Sequence, residues 1–559
     1  MTAVNVVTAP WPTTRAEHLY PTLNADQIAR VAAHGRARQV SAGEVLAEAG
    51  QQTSRFFVVT AGRLEVIRPK PGAEELVTVH GPGTFTGEVN LLSGRRGLVM
   101  IRAAEAGEVI EMSRECLLGL IQVDSELSEI LMRAFILRRV QLIENQISDV
   151  VVIGSRHCSG TLRIREFLSR NGHPYTAIDL DREEHVQELL DRFNVSVADI
   201  PVVICRCTVV LRNPSNEAIA DCLGFNEAID LTQVRDLVVI GAGPAGLAAA
   251  VYGASEGLDV LVLEATAPGG QAGASSRIEN YLGFPTGISG QDLAARAYNQ
   301  AQKFGAELMV AKTARKLACD RKPYAVELEN GMRVPARAVI IATGAQYRRL
   351  ALANREQFEG AGIYYAATFI ESQLCGADEV VVVGAGNSAG QAAVFLAQTA
   401  RHVHILVRSN GLADSMSRYL IRRIEDHPSI TLHANTEIVG LEGNGHLERV
   451  TWRNNKTGDA HSRAVRHVFT MTGAVPSTSW LNGCVTVDAN GFIKTGTDLT
   501  ESDLGAAQWP LARAPHLLET SLPGVFAVGD VRCRSVKRCA SAVGEGAIAV
   551  ASVHQVLAE

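Results

Sequence analysis

Between about residue 25 and residue 120 the chain alternates short apolar runs with glycine turns. Phe56-Phe-Val-Val59 is followed by Ala61-Gly62-Arg63-Leu-Glu-Val-Ile67 and then by Gly83-Thr-Phe-Thr-Gly87-Glu88. Short β-type runs at that spacing predict an antiparallel barrel or jelly roll. The period then changes. Leu127, Ile130, Leu131, Phe135, Leu142 and Ile143 recur near helical spacing and predict a helix from about Asp124 to Ser148. A compact strand–helix–strand pattern follows from Val150 to about Phe225. From Asp236 on, apolar strands that end in glycine-rich turns predict two interleaved nucleotide-binding domains. The fold class expected is therefore multidomain α/β, headed by a β jelly roll. No low-complexity tract or short-period repeat interrupts the chain.

Length supports several cores: 559 residues are too many for one and fit three or four domains. With 47% hydrophobic and 20% charged residues, the composition is that of an ordinary globular protein. A net charge of −6 argues against nucleic acid as the main partner. No apolar run is long enough to cross a bilayer, and the first twenty residues lack the plan of a signal peptide. Ten cysteines stand without a Cys-x-x-Cys pair, which fits a reducing cytoplasm better than a disulfide-stapled fold. The expectation is a cytoplasmic protein with no metal site and no membrane partner.

The chemistry concentrates in the second half. The strand Leu237-Val-Val-Ile240 runs into Gly241-Ala-Gly243-Pro-Ala245-Gly246 and a small-residue helix. Such glycines allow a tight turn, close approach of backbone to pyrophosphate, and helix–strand packing, while the phosphate meets the helix N-terminus. A second strand, Val260-Leu-Val-Leu263, ends in Glu264, placed to bind ribose hydroxyls. The pattern repeats as Val380-Val-Val-Val383 followed by Gly384-Ala-Gly386-Asn387-Ser388-Ala389. Two dinucleotide folds imply two dinucleotides, one a bound flavin and the other a diffusing nicotinamide.

With Ala342-Thr343-Gly344, Thr472-Gly473-Ala474 and Gly524-Val-Phe-Ala-Val-Gly529-Asp530 added, the chain from Asp236 on resembles the low-molecular-weight thioredoxin reductases. That resemblance implies FAD on Gly241, Gly243, Ala245, Gly246, Glu264, Gly270, Gln271, Asn280, Ala342, Gly344, Gly529 and Asp530. It also implies an inserted nicotinamide domain that rotates against the FAD domain. The matched Arg538-Cys539-Ala540 would open a helix whose positive end favours negative charge on the reduced flavin. Cys539 stands where the family has glutamine, either as a thiol near the flavin or as a small residue filling space. At the strand end Val403-His-Ile-Leu-Val407, Arg408 matches the first arginine of the family's 2′-phosphate clamp, while Ser409 and Ala413 replace two others. No acid stands there to grip a free 2′-hydroxyl, so NADPH is preferred to NADH.

One departure matters most. The family's Gly-x-x-Tyr-Cys-Ala-Thr-Cys appears here as Gly362-Ile-Tyr-Tyr-Ala366-Ala-Thr-Phe369. A disulfide reductase needs one thiolate to attack and a second thiol to resolve, and neither Ala366 nor Phe369 supplies one.

The middle segment resembles a glutaredoxin. Val150-Val-Val-Ile153 leads to Ser155-Arg-His-Cys158-Ser-Gly-Thr161, and later come Tyr175-Thr-Ala-Ile-Asp-Leu180 and Ile200-Pro201. Cys158 falls on the nucleophile position and Thr161 on the resolving one. A thiol at a helix N-terminus beside His157 and Arg156 is an activated one; the alternative is an adaptor domain whose Cys158 is incidental. Gly87-Glu88-Val-Asn-Leu-Leu-Ser-Gly-Arg95-Arg96 resembles the phosphate-binding cassette of cyclic-nucleotide-binding domains. The resemblance implies that Glu88 takes a ribose hydroxyl and Arg95 or Arg96 the phosphate of cAMP or cGMP.

These readings divide the chain into a cyclic-nucleotide-binding-like domain with its connecting helix (1–148), a glutaredoxin-like domain (149–230), an FAD domain in two parts (234–347 and 473–559) and an NAD(P) domain (348–472). They imply an NADPH-dependent FAD oxidoreductase without the redox dithiol, regulated by a cyclic nucleotide and assembled as a homodimer. The alternatives are an oxidase or reductase that delivers electrons to oxygen, a quinone or a carrier protein, and a sensor that does not turn over.

Overall fold

The computed structural model describes residues 15–52, 54–70, 73–145, 148–182, 196, 199–206, 209–227, 230 and 232–559. It divides into two compact units. One holds residues 1–149 with 223–227, and the other holds 150–222 with 228–559.

The first unit is built from two antiparallel sheets. One has the strand order Arg36–Val40, Gly107–Ser113, Arg55–Ala61, and the other the order Val45–Ala47, Met100–Ala103, Leu64–Lys70, Ala73–His80. Gly62 sits at φ 80° in the turn between Arg55–Ala61 and Leu64–Lys70, a conformation that favours glycine. Phe56, Val58, Phe85, Leu91, Leu117, Leu127, Leu131 and Phe135 share one buried core. The long helix expected near 124–148 is two helices, Arg114–Val123 and Ser125–Glu144, because Asp124 breaks the first and caps the second by accepting from the Leu127 N–H at 3.0 Å. Leu127, Leu131, Phe135 and Leu142 of the expected apolar face are buried. Ile143 is instead exposed at 40%, on the water-facing side of the last turn beside the buried Leu142. Residues 146 and 147 of that expected helix lie outside the described residues.

The second unit begins with a four-stranded sheet in the order Val209–Arg212, Val202–Cys205, Val150–Gly154, Thr176–Asp179. Val150–Gly154 runs parallel to Thr176–Asp179 and antiparallel to Val202–Cys205. The helix Ser159–Arg170 starts at Cys158, and the Ile200–Pro201 bond is cis.

A seven-stranded sheet follows. Glu307–Met309, Val260–Leu263, Arg235–Ile240, Arg333–Ile341 and Val525–Ala527 run parallel, while Tyr324–Leu328 and Ala314–Ala318 extend the sheet antiparallel. Residues 237–240, Val260–Leu263 and Val525–Ala527 are buried on both faces, one against the helices Pro244–Ser255 and Cys539–Ala558 and the other against the antiparallel strands. The inserted half carries five parallel strands in the order Ile363–Tyr364, His467–Thr470, Glu379–Val383, His402–Leu406, Ile430–His433. A short antiparallel pair, Ala345–Tyr347 with Ala474–Pro476, joins the two halves.

Candidate functional site

The first glycine-rich turn has the geometry that its sequence demands. Gly241 adopts φ 101°, and a side chain there or at Gly246 would strike the backbone of Ala342 or of Gly241. The helix Pro244–Ser255 follows with no side chain capping its N-terminus, so its first N–H groups are left for an acceptor. Gly243 faces Gly270 with nothing else within 4 Å of an added Cβ, and Gly344 has nothing within 4 Å at all, which leaves the open floor a dinucleotide requires. Glu264 accepts from three backbone N–H groups, Ala242 at 2.7 Å, Thr266 at 2.9 Å and Ala267 at 3.2 Å. A carboxylate oxygen has two lone pairs, so this clamp still leaves acceptor capacity for ribose hydroxyls.

The rest of the expected flavin set is distributed around this turn. Gln271 donates its side-chain N–H to the Ala345 carbonyl. Asn280 is exposed. The Gly529 N–H donates to Glu545 at 2.7 Å, and burial raises the pKa of the neighbouring Asp530. Arg538 is the N-cap of the helix Cys539–Ala558 and makes no side-chain cap, so no side chain satisfies the first backbone amides of that helix. These groups fit FAD. Among them Cys539 is a poor nucleophile, because burial, aided by Asp530, pushes its thiol up to about 11 and keeps it protonated at neutral pH.

The second turn repeats the design. Gly384 has φ 145°, Gly386 caps the helix Asn387–Leu396 with open space around it, and the Asn387 side chain accepts from the Ser417 N–H at 2.7 Å. Ala389 is buried under the turn. Arg408 follows the strand His402–Leu406 and is exposed. Arg423 pairs with Glu279 at 2.6 Å. Beside this turn, burial raises the Tyr347 pKa, a hydrogen bond with Ser388 lowers it, and the Asp530 carboxylate adds to the rise.

The segment that departs from the thioredoxin reductase pattern is well packed. Thr368 caps the helix Phe369–Leu374 in a capping box with Glu371. Cys375, nearest in sequence, is buried, donates to the Glu371 carbonyl at 3.2 Å and is held as a thiol by burial. Leu162, from the helix that starts at Cys158, shares a core with Tyr364, Ala367 and Ile370. The Cys158 end of the middle segment therefore lies against this stretch. Thr161 is buried and Cys158 partly exposed.

Two further findings lie outside the sequence pattern. Cys319 and Cys484 form a disulfide across 165 residues, a pairing that no motif spacing in the sequence marks, since their proximity arises from the fold. In the barrel, a cavity of about 220 Å³ is lined by Gly87 and Glu88 but not by Arg95 or Arg96. The helix Asn90–Ser93 ends at Gly94 with φ 65°, and Arg95 turns onto the Phe225 ring at 4.6 Å while Arg96 packs at Gly224. The cavity's buried arginine is Arg138, which sequence reasoning passed over. Its position on the apolar face, three residues after Phe135, was the available signal.

Comparison with known proteins agrees with this geometry. Residues 235–546 match the pyridine nucleotide-disulphide oxidoreductase family, and residues 37–124 match the cyclic nucleotide-binding domain. The NADPH-dependent thioredoxin reductase 3 of Arabidopsis thaliana is 33% identical over 333 residues, which cover 58% of each chain, so this protein spans just over half of that relative. The thioredoxin reductase of Ureaplasma parvum is 32% identical over 318 residues, 57% of this chain and 95% of that one. The crystal structure of Lactococcus lactis thioredoxin reductase superimposes with a TM-score of 0.51 at 27% identity, covering 58% of this chain and 99% of that one. The chain belongs to the pyridine nucleotide-disulphide oxidoreductase family. Its larger half is thioredoxin reductase-like, and a cyclic nucleotide-binding domain precedes it. Enzymes of the thioredoxin reductase family use FAD and NADPH.

Proposed function

We propose that this chain is an NADPH-dependent FAD oxidoreductase that reduces its acceptor without thiol exchange at positions 366 and 369, under control of a cyclic nucleotide held in the barrel. The observation that carries the reading is the pair of open glycine turns, set against a segment where Ala366 and Phe369 stand in place of cysteines. FAD, when bound, supplies hydride acceptance and two-electron storage. The residues of the chain bind and align: Gly241, Gly243 and Glu264 hold one dinucleotide, Gly384, Gly386 and Arg408 the other. The uncapped N-terminus of the helix Cys539–Ala558 would favour negative charge on the reduced isoalloxazine. Quinones, oxygen and single-electron carrier proteins are the acceptor classes that need no thiol relay.

Cys158 supports a second reading. It is partly exposed at the start of a 12-residue helix in a glutaredoxin-like topology, and Arg163 lies within electrostatic reach of it. Any disulfide turnover would then pass through this thiol. The domain plan proposed for this function is that of the sequence: 1–148, 149–230, 234–347 with 473–559, and 348–472.

Steady-state NADPH oxidation with a panel of acceptors tests the proposal. Benzoquinone is expected to turn over with the wild type and with Cys158→Ser alike, and thioredoxin to turn over poorly. Efficient thioredoxin reduction that survives Cys158→Ser would contradict the reading.

A further inference from the structure

Two buried atoms that line the barrel cavity have no hydrogen-bond partner: Glu88 Oε2 and Arg138 Nη2. Arg138 is only 6% exposed. Its Nε donates to the Leu19 carbonyl at 3.0 Å and its Nη1 to the Gly87 carbonyl at 2.9 Å, which fixes the guanidinium and leaves Nη2 as the spare donor. The Phe85 and Tyr20 rings lie 4.7 and 5.3 Å from the guanidinium carbon and hold the plane. Burial lowers the Arg138 pKa to about 10, so the group is still cationic at neutral pH.

The other charged or titratable groups of the cavity do not neutralise it. His80 is buried and pushed down to about 3, so it is neutral. Glu88 faces Arg139, whose Nη1 is 3.8 Å away. Arg55, the other arginine lining the cavity, is exposed and paired with Glu111, while Glu48 is exposed. A buried cation without a counter-ion is costly, and an entering anion removes that cost.

We propose that Arg138 binds the phosphate of the nucleotide in this cavity, in place of Arg95 and Arg96, and that Glu88 accepts from a hydroxyl of the same ligand. The assignment rests on the cyclic-nucleotide reading of the barrel. The phosphate is the only anionic group on such a ligand, and Arg138 is the cavity's buried cation. Its two carbonyl contacts also link ligand occupancy to the N-terminal helix at Leu19 and to the cassette at Gly87, and the residue itself sits on the helix Ser125–Glu144.

Calorimetry on the full chain tests this with cAMP and cGMP, and with adenosine and guanosine as phosphate-free probes. The wild type is expected to bind a cyclic nucleotide. Arg138→Gln should weaken that binding on the order of 10- to 100-fold, the range of a charge-assisted hydrogen bond, and leave nucleoside affinity within about threefold. Arg138→Lys should retain part of the loss-prone affinity, and Arg96→Gln should match the wild type. Unchanged nucleotide affinity in both Arg138 variants, or equal loss toward nucleotide and nucleoside, would overturn the assignment of Arg138. No binding of cAMP or cGMP to the wild type at millimolar concentration would instead overturn the cyclic-nucleotide reading, and the assignment with it.

Discussion

Ser159 and Gly360 are in direct contact: a Cβ added at Gly360 would lie 2.6 Å from the Ser159 Cβ and 3.1 Å from its Cα. Gly360 also holds φ 77°. The residue after Cys158 thus packs onto the turn that leads into Ile363-Tyr-Tyr-Ala366. Gly360→Ala is expected to strain the backbone and push the helix Ser159–Arg170 off its seat, at about 1–3 kcal/mol. Thermal melting should show the loss, with FAD absorbance retained since the flavin turn is elsewhere. An unchanged melting temperature would mean that this contact holds nothing in place.

The disulfide Cys319–Cys484 ties the first part of the flavin domain to the second across 165 residues. By loop-closure entropy its removal is expected to cost roughly 5 kcal/mol at most. Thiol titration of the denatured protein should find two additional thiols after reduction, and Cys319→Ser should lower the thermal midpoint by several degrees.

Acid should weaken the nicotinamide half before neutral pH is far behind. His467 stacks on Tyr364 at 5.9 Å, and burial lowers its pKa to about 4; His433 is lowered to about 4 as well. A depressed histidine is neutral when folded and protonates more readily when unfolded. Its contribution is therefore complete above pH 6.5 and is lost as pH falls from about 6.5 to 4, on the order of 3 kcal/mol for His467. Melting temperature should fall as pH is lowered through that window, and His467→Gln should remove part of that fall.

Arg408→Ala is expected to weaken NADPH about tenfold or more while sparing NADH, since one charge-assisted contact to the 2′-phosphate is worth about 1.5–3 kcal/mol. Equal loss toward both nucleotides in stopped-flow reduction would place the phosphate elsewhere.

What the sequence revealed follows from local physics. Gly241 and Gly384 announced themselves because the turn forces positive φ, and the strands before them because sheets covered on both faces stay apolar. Cys319 with Cys484, Ser159 with Gly360, and Arg138 with Gly87 were not legible. Each pair meets only through tertiary packing across a long stretch of chain. The cassette pattern around Arg95 fixes residue types, while the packing of Arg95 on Phe225 is a tertiary contact that the sequence does not specify.

The central claim, an NADPH-dependent flavin site with no thiol relay in series, is tested most directly by anaerobic reductive titration. If the flavin alone stores the electrons, absorbance should bleach fully at about one NADPH per FAD, the two-electron capacity of the cofactor. Bleaching that needs about two NADPH per FAD would reveal a disulfide in redox contact with the flavin and contradict the account.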